Sequence, residues 1–265
     1  SRSELVATGN SDYGWFGGGY TSGVPSPIAI RSSVDRINFS NDLATASPRG
    51  PLSLARRDLA ATGNSNYGWF GGGNPASGSS SSVDRIDFSN DSARASVRGP
   101  LSLDRRSLAA TGNSNYGWFG AGASPSGVTT RVDRIDFSND SSTASVRGSL
   151  VPGRFYISAT GNSNYGWFDG GSPTTTRVDR IDFSNDSSTA SVRGPLSSTR
   201  YSKGATGNSN YGWFGGGQNF ISPSDIIRSL VDRIDFSNDS VEASSRGLLS
   251  ISRSGSAATS NTPIG

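Results

Sequence analysis

The 265-residue sequence contains no cysteine, no methionine and no histidine. Without cysteine there are no disulfides and no thiolate chemistry, and the redox compartment stays open. Without histidine the commonest general base and metal ligand are missing. An excess of one charge is also lacking. The formal net charge of +3 is small for this length and points away from a nucleic-acid partner. No apolar run approaches the ~18 residues of a membrane span, so no membrane insertion is expected. No signal peptide is visible. The chain opens on Ser1 rather than Met, as expected of a processed chain, a trimmed one or a fragment. Neither a cofactor nor a metal site is expected from the residues present.

What is present is repetition. Glycine is abundant at 35 residues, and one phrase, "NSNYGWFGGG" at 64–73, recurs with small changes in every fifth of the chain. The Trp of "YGWF" falls at Trp15, Trp69, Trp118, Trp167 and Trp213, and the Val of "VDRI" at Val34, Val83, Val132, Val178 and Val231. Each Val precedes the next Trp by 35 residues, whereas Trp to Val takes 19, 14, 14, 11 and 18. All length variation therefore sits in one loop per repeat, the mark of a structural unit with a single tolerant connection.

Each unit reads as four strands. A small-residue strand ("SLAATG") leads through the turn-forming "GNSN" to "YGWF". The variable loop follows, then "VDRIDFS", the turn "SND", and "TASVRGPLS", interrupted by Gly and usually Pro. No segment keeps a helical period over ten residues. Short, evenly spaced strands in units of 40 to 50 residues predict an all-β, five-bladed β-propeller with four antiparallel strands per blade. The expected blades are 5–53, 54–103, 104–152, 153–199 and 200–250 of a single domain spanning 1–265. Residues 251–265 are left as a closing strand or a tail. "GSAATSN" at 255–261 is in register with the first strand, yet "LVATGN" at 5–10 claims the same place. Either the C-terminal strand closes the ring and displaces the N-terminal one, or the tail leaves for a partner.

The repeats resemble kelch-type blades. Tyr67, Gly71 and Gly72, then Val83 and Phe88, "SND" and Arg105 match the pattern of aromatic strand, glycine pair, apolar strand, polar turn and arginine. The fourth-strand Trp of that pattern is absent. The wording "YGWFGGG…VDRIDFSNDSSTASVRGPLS" also resembles repeats of marine phage proteins, above all those of cyanophages. That likeness implies a non-enzymatic structural or adhesive virion component, with other virion proteins or a host-surface glycan or receptor as partners. The alternative is a multivalent lectin with one sugar site per blade, as in tachylectin-type propellers, which predicts exposed Trp side chains.

Repeated charges read as architecture. Three arginines recur per unit, 15 of the 24 basic residues, against 14 aspartates at three repeated positions. Such matched numbers suggest paired Arg–carboxylate bonds within and between blades. A rival reading of one set, Arg56, Arg105, Arg154, Arg200 and Arg253, is a ring that grips an anionic ligand. "DFSND" could offer oxygen ligands to calcium, but the preferred reading is a polar turn, since Asx residues cap turns without any ion. The triple glycine lacks the Lys-Ser/Thr of a phosphate loop. The Trp residues read as core between blades, against a sugar platform. Glycoside hydrolysis needs unshared acids at the axis, and the unrepeated ones (Glu4, Asp12, Asp58, Asp104, Asp169, Asp225 and Glu242) form no evident constellation.

Function is expected where the repeats differ. The variable loops and the connections between blades fall on one face. The first and fifth loops are long and apolar, so Val24, Ile28, Ile30, Phe220, Ile221, Ile226 and Ile227 are expected to form one docking patch where blades one and five meet.

Overall fold

A computed structural model describes residues 2–21, 28–221 and 224–259. It is a five-bladed β-propeller: five antiparallel four-stranded sheets, each ordered as in the sequence. In the second blade the strands are Ala60–Gly63, Tyr67–Gly71, Val83–Asp87 and Ser96–Arg98. The innermost strands of the five blades surround the axis.

Local chemistry sets the blade. The Asn64 side-chain oxygen accepts from the backbone N–H groups of Asn66 and Tyr67, at 3.0 Å each, which closes the first hairpin as an Asx turn. Strand three is shorter than expected. It stops at Asp87, whose carboxylate accepts from the backbone N–H of Ser89 at 2.9 Å and from its hydroxyl at 2.7 Å. That cap starts a single 3-10 turn, Phe88–Asn90. So the first aspartate of "DFSND" is a helix cap.

The second aspartate joins blades. Asp140 of blade three accepts from Trp69 Nε1 of blade two at 2.9 Å and from Arg85 at 3.0 Å, with Arg98 at 3.5 Å. Phe137 of blade three stacks on Trp69 at 3.8 Å between ring centroids. Backbone bonds accompany these contacts: Gly99 N–H to the Asp140 carbonyl at 2.8 Å and Ala144 N–H to the Pro100 carbonyl at 2.8 Å. Gly99 is required at that contact, since a Cβ there would lie 2.0 Å from the Ser142 carbonyl oxygen. The same set recurs at Trp15–Asp91, Trp118–Asp186 and Trp167–Asp239. The four hydrophobic clusters of the core each lie between consecutive blades.

Closure of the ring corrects the expected competition between the two terminal segments. Both are placed, in adjacent positions. Val6–Gly9 is the innermost strand of blade one, and residues 256–259 line the axis beside it. Thr259 packs on Gly9 and Gly14, as Thr8 packs on Gly63 and Gly68 and Thr62 on Gly112 and Gly117. A belt of backbone bonds confirms the count. Asp58 N–H donates to Glu4 C=O (3.2 Å), Ser107 to Asp58 (2.7 Å), Tyr156 to Ser107 (2.8 Å), Ser202 to Tyr156 (3.1 Å), Gly255 to Ser202 (2.9 Å) and Glu4 to Gly255 (3.1 Å). All six residues have φ between 54° and 61°. The axis thus has six inner places, five belonging to full blades and one held by the C-terminal segment.

Candidate functional site

The arginine set is not a ligand ring. Arg56, Arg105, Arg154 and Arg200 are fully buried and pair with Asp84 (2.7 Å), Asp133 (2.7 Å), Asp179 (2.8 Å) and Asp232. Arg56 also donates to the carbonyls of Gly72 and Ser82 at 2.8 and 2.6 Å, tying the inter-blade connection to the mouth of the variable loop. Burial lowers the pKa of Arg56 and Arg105, and the partner aspartates oppose it. Arg2 fills the same place in blade one, on Asp35. Its place in the repeat is legible from spacing alone, since it stands 13 residues before Trp15, as Arg56 does before Trp69. Only Arg253 is exposed.

The exposed Trp side chains expected of a one-sugar-per-blade site are not found at four of the five positions. Trp15, Trp69, Trp118 and Trp167 have no exposed surface, so they are core and offer no platform.

The apolar loop residues divide. Ile28, Ile226 and Ile227 are exposed at 58, 38 and 47%, and Ile30 is half-buried. Ala29–Ile30 pairs with Tyr20–Thr21, and Ser224–Ile227 with Gln218–Ile221, as small hairpins. Val24 lies outside the described residues, as do the side chains of Phe220 and Ile221. The hairpins stand on blades one and five, with no hydrogen bond or ion pair between them among the described residues.

On the same face the belt opens into a polar mouth. Here two of the unrepeated acids do come together. The Asp58 N–H donates to the Glu4 carbonyl at 3.2 Å, and Arg57 donates to the Glu4 carboxylate at 3.0 Å. Burial, followed by the Glu4 charge, pushes the Asp58 carboxyl up to about 7, against the pull of Arg57 and Arg106. Tyr156 lies beside them, its pKa raised by burial and then by Asp58 and Glu4. Its ring centroid is 6.0 Å from that of Tyr201. The Tyr201 hydroxyl donates to Asp225 at 2.8 Å and accepts from Gln218 at 2.9 Å. The cavity, about 380 Å³, is bounded by Glu4, Tyr20, Tyr156, Tyr201, Ser202 and Gln218, with Ser3, Ser254 and Gly255. It offers hydrogen-bonding groups of both kinds beside aromatic faces.

The belt residues share one column of the repeat, two positions after each connecting arginine: Glu4, Asp58, Ser107, Tyr156, Ser202 and Gly255. Five of the six are not glycine, yet all adopt a left-handed backbone. A column that varies inside an otherwise fixed unit was the signal available in the sequence. Its strained backbone is over-determined by the ring of hydrogen bonds.

No described protein family matches the chain, and no curated protein matches it. Among solved structures 397 chains match. One, described as "Structure of YjhT", superposes with a TM-score of 0.77 over 97% of this chain and 87% of that one, at 11% identity. Likeness at that identity concerns the fold, and the fold shared is a β-propeller.

Proposed function

We propose that the protein is a non-enzymatic adhesive or structural module that recognises a hydroxyl-rich ligand, of saccharide class, on its loop face. One observation carries the reading. Repeated charges of the four closed seams are consumed inside and between blades, while unrepeated polar and aromatic residues gather at an axial mouth. The Glu4 carboxylate, the Gln218 amide, serine hydroxyls and tyrosine rings around a small cavity suit a polar neutral ligand. The likeness of the repeats to phage proteins supports a place on a virion surface, with the apolar hairpins of blades one and five docking other virion proteins or a host receptor.

A glycan array probed with the intact protein and with Tyr156→Ala tests the proposal. Binding to a restricted set of saccharides, lost in the variant and leaving the saccharide uncleaved, is expected. Silence across the array, binding unchanged by Tyr156→Ala, or cleavage of a bound saccharide would overturn it.

A further inference from the structure

Four seams between consecutive blades are closed by one repeated set of contacts, and among the described residues the seam between blades five and one has none of that set. On the blade-five wall, Trp213 is partly exposed and has no stacked Phe and no carboxylate among the described residues, unlike the four fully buried Trp side chains. Arg246 and Arg253 are exposed, and neither they nor Arg233 has an acidic partner among the described residues; Arg233 Nε is buried and unbonded. A Cβ on Gly247 would meet nothing within 4 Å, whereas its counterpart Gly99 abuts the next blade at 2.0 Å. On the blade-one wall, Phe16 and Ile37 are half-buried, Phe39 stacks on no Trp among the described residues, and Asp42 is exposed. Their counterparts Phe70 and Ile86 have 0 and 2% exposure, and Asp91 binds Trp15 and Arg36 at 2.8 and 2.9 Å.

Both walls are thus half of an interface whose other half is known from the closed seams. We propose that the open seam receives one further three-stranded β segment from outside residues 1–259, patterned on this chain's own second, third and fourth strands. Residues 256–259 already supply its innermost strand. The incoming segment must present a Phe to Trp213, an aspartate to Trp213, Arg233 and Arg246, and a third-strand aspartate to Arg253. Its other side must bring a Trp to Phe39 and Asp42 and a glycine to Phe16. These groups must lie on one blade. A second copy of the chain cannot provide that, because its own exposed Asp42 and Trp213 belong to different blades. The chemistry of the walls asks for charge of both signs in a fixed arrangement, which selects a repeat-like segment over a general apolar peptide.

The test adds a synthetic polypeptide of residues 112–150, one repeat's outer strands, to the full chain and follows titration calorimetry and the unfolding midpoint. One-to-one binding is expected, with a midpoint raised by about 5 °C or more at saturation. Asp140→Asn in the added polypeptide should weaken binding by about tenfold or more. A second arm joins residues 112–150 after Thr259 in place of 260–265, and the same rise is expected. No rise in either arm, binding indifferent to Asp140→Asn, or dimerisation of the chain alone through this seam would overturn the proposal.

Discussion

Asp42 and Asp140 occupy the same place in the same "SND" turn, and the structure predicts opposite consequences for removing them. Asp140 is 6% exposed and serves Trp69 at 2.9 Å, Arg85 at 3.0 Å and Arg98 at 3.5 Å. Asp140→Ala strands an indole N–H and two guanidiniums at a seam. Breaking a buried pair by deleting one partner costs about 3–5 kcal/mol. Arg85 and Arg98 keep 22 and 24% exposure, so water takes up part of the loss and the lower end, about 3 kcal/mol, applies. With an unfolding entropy of roughly 2.1 cal/mol/K per residue over 265 residues, that is a fall in unfolding midpoint of about 5 °C. Asp42 faces the open seam and serves no Trp or Arg among the described residues, so Asp42→Ala should change stability by about 0.5 kcal/mol or less. Thermal unfolding of both variants, followed by circular dichroism, measures the difference. Equal losses would mean that blade five meets blade one as the others meet, and would refute the open seam.

Two further outcomes follow from buried acids. Asp58 holds its proton up to about 7 when folded, against an ordinary 3.8. The folded state therefore favours the protonated form, and stability falls as pH rises from about 4 to about 7, then levels. Asp58→Asn should abolish that slope and be more stable than the parent at pH 8 by about 2 kcal/mol, roughly half of what 1.36 kcal/mol per unit would give, because the surroundings relax around a buried charge; denaturant titrations at pH 5 and 8 check it. Between blades four and five, Asp169 and Lys203 are buried 3.6 Å apart where the seam between blades two and three has Gly71 and Leu108, and burial pushes Asp169 up to about 6. Lys203→Leu alone should cost about 3–5 kcal/mol at pH 8, with much of that recovered at pH 5. Adding Asp169→Gly should restore stability to within about 1 kcal/mol of the parent, read from unfolding midpoints.

The blades were legible because their determinants are local and repeated. Asn64, Asp87 and Gly99 each fix one turn or contact, and the 35-residue spacing keeps them in phase. The partners of the repeated arginines were legible as a class, since 15 guanidiniums against 14 repeated aspartates imply pairing. Which aspartate meets which arginine was not, because the Trp69–Asp140 bond joins residues 71 apart across a seam. The number of inner places was hidden for the same reason. Two terminal segments with one pattern look like rivals until the belt from Glu4 to Gly255 shows six positions. The axial mouth escaped notice because its residues are unlike one another, and only their shared column relates Glu4 and Asp58 to Tyr156.

The most direct test of the six-place ring is collisional quenching of tryptophan fluorescence by acrylamide, in the parent chain and in Trp213→Phe. One indole of five should be readily quenched, and that fraction should vanish in the variant while the four buried indoles stay shielded. Five equally shielded indoles, or a quenchable fraction that survives Trp213→Phe, would contradict an open seam between blades five and one.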